Sequence, residues 1–265
     1  MTTKIIAIAN NKGGVGKTTT ALTVGLELAR RGLKVLLVDL DGQCSLTENL
    51  IDFKPDRSVR EALLGLKAKT NLDACIVPGA RFVNPVPGAD LLPARESMRD
   101  VEAELAAKTS REMLLLKVFR GLEAARRWDV ILIDCPPSLG ILTKNALTAC
   151  DELYVPTTPE YTPIDGLTKL VRICEELKED LNPGLAISGV IITRYNARKN
   201  LNAAADTALR NEYGEAVFGT RIRDNVSVAE SPSRHMDIIN YAPKSRGAED
   251  YLALTDEIVS RLALG

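Results

Sequence analysis

Lys12-Gly-Gly-Val-Gly-Lys-Thr18 decides the fold, because it sets three glycines, a lysine and a threonine between an apolar run and a helical pattern. Upstream, Ile5, Ile6 and Ile8 form a β-branched run; downstream, Leu22, Gly25, Leu26 and Ala29 recur at helical spacing on one face. A glycine-rich turn between a strand and a helix is a phosphate cradle. Gly13, Gly14 and Gly16 lack a Cβ, so the backbone there can take positive φ angles and let N–H groups converge on phosphate oxygens. Lys17 is spaced to reach the β- and γ-phosphates and Thr18 to offer its hydroxyl to Mg²⁺, while the helix N-terminus adds partial positive charge. The expected contact runs from Lys12 through Val15 to Thr19. The usual pattern, G-x-x-x-x-G-K-[ST], requires glycine at position 11, where this chain has Asn11, and it has no counterpart of Lys12. The loop is therefore a deviant Walker A.

From this loop outward, strand-like apolar runs alternate with helical patterns. Strands are expected over Lys4 to Ala9, Val35 to Asp39, Val130 to Asp134, Leu153 to Thr157 and Ile187 to Thr193. Helices are expected near Lys17 to Arg31, Arg111 to Ala125, Leu142 to Ala149, Ile164 to Lys178, Leu201 to Glu212 and Ala248 to Leu262. That alternation predicts an α/β fold with a doubly wound, mainly parallel sheet and helices on both faces. Between Phe53 and Arg95, five prolines break the chain into short pieces, although Ser58 to Leu64 has the pattern of a capped helix. With 265 residues, no internal repeat and no linker, one domain over residues 1–265 is expected.

Composition narrows the classes of function. Thirty-four Lys and Arg against 35 Asp and Glu leave no global basic field, so nucleic-acid or membrane binding would need a local patch. Cys44, Cys75, Cys135, Cys150 and Cys174 form no C-x-x-C pair and read as reduced core residues of a cytosolic protein, not as a metal or disulfide set. No signal peptide and no apolar run of membrane-spanning length is present, so a cytoplasmic chain without a membrane partner is expected.

Two acidic segments complete the expected site. Val130-Ile-Leu-Ile-Asp134 is an apolar strand ending in an acid, which in such a sheet lies beside the phosphate loop and can hold Mg²⁺ directly or through water; the alternative is an acid that only caps a turn. Asp39 and Asp41 end the second strand, and two residues apart on an extended backbone they would share a side. Phosphoryl transfer passes through a loose transition state, so a carboxylate there works by positioning and electrostatics more than by basicity.

The stretch from Ala7 to Thr20 resembles the ParA/MinD group of deviant Walker A P-loop ATPases, whose signature is the first lysine. Asp134-Cys-Pro-Pro-Ser-Leu-Gly140, Glu160-Tyr161 with Gly166-Leu167, Gly189-Val-Ile-Ile-Thr193 and Pro243-Lys-Ser-Arg-Gly-Ala-Glu-Asp-Tyr251 are similar to ParA/Soj-type partition proteins. The resemblance implies a homodimer when ATP is bound, with Lys12 reaching across to the partner's phosphates and acting as a catalytic cation beside Lys17. It implies that Asp41 positions the attacking water and joins Thr18 and Asp134 around Mg²⁺, and that loops containing Asn196 and Asn225 frame the adenine. It further implies nonspecific binding of double-stranded DNA through Arg194, Arg198, Lys199, Arg221, Arg223 and Arg246, with Arg234 and Lys244 further on, release on hydrolysis stimulated by a ParB-like centromere-binding partner, and association with the nucleoid. The family segment Pro-Arg-Asn-Val-Arg reads Arg223-Asp-Asn-Val-Ser227 here, so a merely solvated basic face is the competing reading. Gly42 stands where relatives usually carry proline and Cys44 where they carry glycine, which points to a looser or slower hydrolytic loop.

Absences narrow the subfamily and the rival readings. Only three residues precede the first strand, which leaves no room for the helix-turn-helix of longer partition ATPases, and Ile258 to Gly265 lacks the basic amphipathic character of a membrane-targeting helix. A metal-cluster carrier needs paired cysteine ligands that the spacing does not supply. A nucleotide-gated module that recruits or positions a protein cargo, with hydrolysis incidental, stays open as the alternative function.

Overall fold

The computed structural model describes residues 3–65, 72–123, 127–159 and 163–262. Among them runs an eight-stranded sheet formed by β1 (Lys4–Ile8), β2 (Val35–Asp39), β3 (Val77–Pro78), β4 (Ala89–Leu92), β5 (Val130–Asp134), β6 (Glu152–Thr157), β7 (Ile187–Tyr195) and β8 (Val217–Arg223). Its order is β3-β4-β2-β5-β1-β6-β7-β8, and every pair is parallel except β3 with β4 at one edge.

Strand alternation divides the core between two faces. Ile5, Ala7, Leu36, Val38, Ile131 and Ile133 belong to one buried cluster, while Ile6, Ile8, Val35, Leu37, Val130 and Leu132 belong to the other. Both faces are covered, so the central strands are buried end to end and read as continuous apolar runs in the sequence. On the second face lie α1 (Lys17–Arg30) and α11 (Arg246–Leu262), and on the first lie α5 (Leu114–Glu123), α6 (Ile141–Ala149) and α7 (Pro163–Asp180). Gly25 brings α1 close to the sheet: a Cβ there would stand 2.5 Å from Leu37 Cδ2 and 3.0 Å from Leu132 Cδ1.

Expected elements are present with small shifts at their ends. The strands Val35–Asp39 and Val130–Asp134 have the predicted bounds, and α3 (Val59–Leu64) carries the capping box formed by Ser58 and Glu61. The helix expected to reach Ala125 is described only to Glu123, and Glu160 and Tyr161 lie outside the described residues. Sequence reasoning missed β3, β4, β8 and the helices α2 (Ser45–Leu50), α4 (Val101–Ala106), α9 (Val226–Glu230) and α10 (Ile238–Tyr241). The remaining helix is α8 (Asn200–Tyr213). All five cysteines are free and buried. No described helix is long and apolar enough to cross a membrane.

β8 forms the far edge, and its pairing with β7 is irregular. Glu257 of α11 takes up the N–H groups of Gly219 (2.8 Å) and Thr220 (3.1 Å) that this irregularity leaves over. Burial pushes the Glu257 carboxyl up, but these N–H groups and Arg261 outweigh it and hold the group below its ordinary value of 4.5. A depressed folded-state value means that the unfolded chain takes up protons first, so this stabilisation is present above about pH 4.5 and fades as pH falls through the lower folded value. The urea midpoint of Glu257→Gln should therefore lie below that of the wild type near neutral pH, with the gap closing below about pH 4. A gap that persists unchanged down to pH 3 would show that the carboxylate charge is not what secures the edge.

Candidate nucleotide site

Three strand ends are tied into one rim by backbone hydrogen bonds. Ala9 N donates to Tyr154 O (3.1 Å), Cys135 N to Ile8 O (3.2 Å) and Leu40 N to Asp134 O (3.0 Å). The loops after β1, β2 and β5 thus leave the sheet side by side at its C-terminal edge, where open α/β sheets bind ligands. Asn10 organises the first of them: its amide donates to Pro156 O (2.7 Å) and its oxygen accepts from Lys12 N (3.0 Å). Gly14 (φ 71°) and Gly16 (φ 89°) occupy the left-handed region, whereas Gly13 does not, so two of the three glycines perform the expected turn. Thr193 Oγ1 donates to Val15 O (2.9 Å) and fixes the loop against β7.

The two lysines occupy different environments. Lys17 is 6 % exposed and donates to Lys12 O (3.1 Å), across the loop it follows. Burial lowers the ordinary value of its amine, and Asp134, Cys135 and Asp41 offset part of that effect. Lys12 is exposed at the mouth, with Nζ 3.5 Å from Thr158 Oγ1.

Below the loop sit acids in excess of cations. Asp134 is 1 % exposed, and neither of its carboxylate oxygens makes a well-formed hydrogen bond. Burial and the neighbouring Asp39 push its carboxyl well above the ordinary range, with Thr18 and Lys17 pulling the other way. Asp39 is fully buried, and burial pushes it up to about 6 against the hydrogen bonds it accepts. Its oxygens are occupied by Asp41 N (3.0 Å), Thr47 N (2.9 Å) and Thr47 Oγ1 (2.8 Å). The expectation that Asp39 and Asp41 point the same way from an extended backbone is therefore corrected. The chain turns after Asp39, whose carboxylate holds the turn, and the Asp41 carboxylate accepts from Gln43 N (2.9 Å). Cys44 ends that turn at φ 58°, a left-handed conformation that costs a non-glycine residue about 1–2 kcal/mol.

A cavity of about 430 Å³ opens beside the loop, lined by Gly14 to Gly16, Thr19, Thr193, Arg194, Ile222 to Val226, Val228, Ala229 and Tyr251. Asn225 lines it and also caps α9 by accepting from Ser227 N (2.8 Å). Asn196 does not line it: its side chain accepts from Arg198 N (3.0 Å) within its own turn. Tyr251, contributed by α11, reaches the first turn of α1 through Thr20 (3.3 Å). Sequence reasoning placed Thr193 at the start of a base-framing loop, and Thr193 lines the cavity, but it missed Asn10, Thr47 and Tyr251. Asn10 alone carried a signal, as a short polar residue where an apolar strand stops.

The basic residues divide into two groups. Arg194, Arg198, Lys199 and Arg246 are exposed, with Arg194 Nε 3.9 Å from Asp224. Arg221 instead pairs with Asp206, and Arg223 is clamped by Asp250 (2.6 Å) and Glu249 (3.2 Å) on the first turn of α11.

These features fit a nucleotide with Mg²⁺: a cradle built on Gly14 and Gly16, a buried lysine beneath it, an unsatisfied acid at a strand end and a half-apolar cavity alongside. Mg²⁺ is usually held by one or two carboxylates plus substrate phosphates, which is what Asp134 beside the phosphate loop can offer. Burying an unpaired carboxylate destabilises a fold by a few kcal/mol. Asp134→Asn should thus raise the melting temperature of the nucleotide-free protein while removing the further rise that Mg²⁺ with ADP gives the wild type. An unchanged Mg²⁺-dependent rise in Asp134→Asn would take this acid out of the cation site.

Comparison with known proteins agrees with this geometry. Residues 3–187 match the family described as an AAA domain. The chain is 37 % identical over 260 residues to the chromosome partitioning protein ParA of Caulobacter vibrioides, covering 97 % of this chain and 94 % of the relative. It is 38 % identical over 257 residues to the chromosome-partitioning ATPase Soj of Thermus thermophilus, covering 97 % and 96 %. A solved structure named cobyrinic acid a,c-diamide synthase from Mycobacterium smegmatis, with bound ADP and magnesium, superposes with a TM-score of 0.81 at 32 % identity, covering 98 % of this chain and 96 % of that one. Identity of this order along almost the whole length, on a P-loop sheet with a deviant Walker A, makes the chain a member of the ParA/Soj family of partition ATPases.

Proposed function

We propose that this protein is an ATP- and Mg²⁺-dependent partition ATPase that closes as a homodimer around its nucleotides, holds DNA without sequence preference in that state and lets go on hydrolysis. The observation that carries the reading is the division between the lysines: Lys17 is buried beneath its own loop, while Lys12 stands exposed at the mouth. A cation placed there suits phosphates approached from outside the protomer.

In this reading Lys17 and the N–H groups from Gly13 to Thr19 hold the β- and γ-phosphates. Thr18 and Asp134 hold Mg²⁺, whose charge offsets that of the phosphates and of the buried acids. Asp41, presented by the turn that Asp39 fixes, orients water toward the γ-phosphorus, and Lys12 of the partner subunit stabilises charge on the transferred group. The cavity wall of Ile222, Asn225 and Tyr251 accepts the base. The contact from Lys12 of the partner subunit to the γ-phosphate exists only in the closed dimer, so cleavage removes the differential binding that favours it. A ParB-like partner raises the rate, and the family membership together with the exposed basic loop supports placement on the nucleoid.

The DNA surface we assign is narrower than the sequence suggested. Arg194, Arg198 and Lys199 on the β7 to α8 loop, with Arg246, are exposed to phosphates, whereas Arg221 and Arg223 are engaged by carboxylates of their own chain. Dimerisation doubles the exposed set, and clustered charge is all that nonspecific phosphate contact requires. The strained Cys44 turn also keeps in view a module in which nucleotide gates recruitment of a protein cargo and hydrolysis is slow.

Retention on random-sequence duplex DNA, measured with ATP, ADP and no nucleotide over a range of salt, tests the assignment. Retention should require ATP, and Lys199→Ala should weaken it and lower the salt slope by about 0.9 for each phosphate that is no longer neutralised. Arg223→Ala should lower the melting temperature instead and leave that slope unchanged. Equal retention in all three nucleotide states would overturn the DNA cycle.

A further inference from the structure

The only histidine of the chain, His235, lies outside the nucleotide loops, yet it reaches the helix that follows the hydrolytic turn. Its Nδ1 is 2.8 Å from Glu48 O, near the C-terminal end of α2, where carbonyls have no partner within the helix. Its own carbonyl accepts from Asn84 Nδ2 (2.7 Å), and two residues on, Asp237 pairs with Arg30 at the end of α1. His235 adopts φ 53°, so the backbone is bent into the left-handed region at the point where the ring is presented. The other end of α2 is fixed by Asp39, which accepts from Thr47 N and Oγ1 and, with its second oxygen, from Asp41 N. The turn bearing Asp41 therefore hangs between a strand end and a short helix that is pinned at one end by Asp39 and at the other by His235. The cleft between them, about 500 Å³, is lined by Thr18, Thr19, Ser45, Glu48 and His235, so the same contact sets the width of the opening over Thr18.

We propose that His235 is a positioning residue for hydrolysis: its ring N–H holds α2 in the register that aims the Asp41 carboxylate. This rests on the reading of Asp41 as the group that orients water. The ring is exposed, and a six-residue helix has few hydrogen bonds of its own to resist a shift. A displacement on the order of 1 Å at a positioning group is enough to lower turnover by up to about a hundredfold without touching ground-state binding.

Three variants separate donor from backbone. His235→Asn keeps a side-chain N–H and tolerates the left-handed conformation, His235→Gly keeps only the conformation, and His235→Ala keeps neither. Steady-state phosphate release with Mg²⁺ and ATP should show kcat reduced roughly five- to tenfold in His235→Gly and His235→Ala, KM for ATP within twofold of wild type, and His235→Asn within twofold for both. Wild-type kcat in His235→Gly, or a loss carried in KM and not restored by asparagine, overturns the proposal. Asp41→Ala is the control for the reading beneath it. If that variant hydrolyses ATP normally, the role given to Asp41 fails; if it is inactive while His235→Gly is normal, only the role of His235 fails.

Discussion

A buried carboxylate whose oxygens lack well-formed hydrogen bonds is the constraint around which this molecule is arranged. Asp134 ends the central strand β5 with both oxygens shielded, Asp39 lies beside it on β2, and Lys17 is the buried cation set against them. Such an arrangement costs stability in the free protein. It is tolerable because the surrounding sheet is over-determined: β1, β2 and β5 are buried on both faces and exchange backbone hydrogen bonds right up to the site. The acids are thus fixed at the strand ends, with the glycine loop directly above them.

Rigidity at the strand ends contrasts with the short pieces that surround them. Asp41 sits on a turn held by single hydrogen bonds, between a strand that cannot move and a helix of six residues. In the proposed reading, the half that holds the phosphates is fixed at the strand ends, while the half that orients water depends on how this turn is aimed. Cys44 at φ 58° adds strain to that same turn.

Much of this was legible in the chain because the physics is local. Val35–Asp39 and Val130–Asp134 read as strands with correct ends, since strands buried on both faces are written as unbroken apolar runs, and the loop glycines announce the left-handed turns that Gly14 and Gly16 make. What stayed hidden depends on contacts distant in sequence. β8 alternates weakly and contains Gly219, Arg221 and Arg223; its strand character comes from pairing with β7 and from Glu257, 37 and 38 residues away. The six basic candidates looked equivalent as a sequence pattern, and only the fold brings Asp206 and Asp250 onto two of them. Asp39 and Asp41 share a spacing but not a role, because Thr47 draws the first into the core.

Everything proposed for Lys12 requires a second copy of the chain, because in that reading the cation at the mouth of the loop serves the partner's phosphates. Light scattering on the protein saturated with Mg²⁺ and ATP, set against ADP and nucleotide-free samples, addresses that requirement most directly. A mass twice that of the 28.8 kDa chain with ATP alone, falling back as ATP is consumed, is the predicted result. A protein that turns over ATP while remaining at 28.8 kDa throughout would contradict the account.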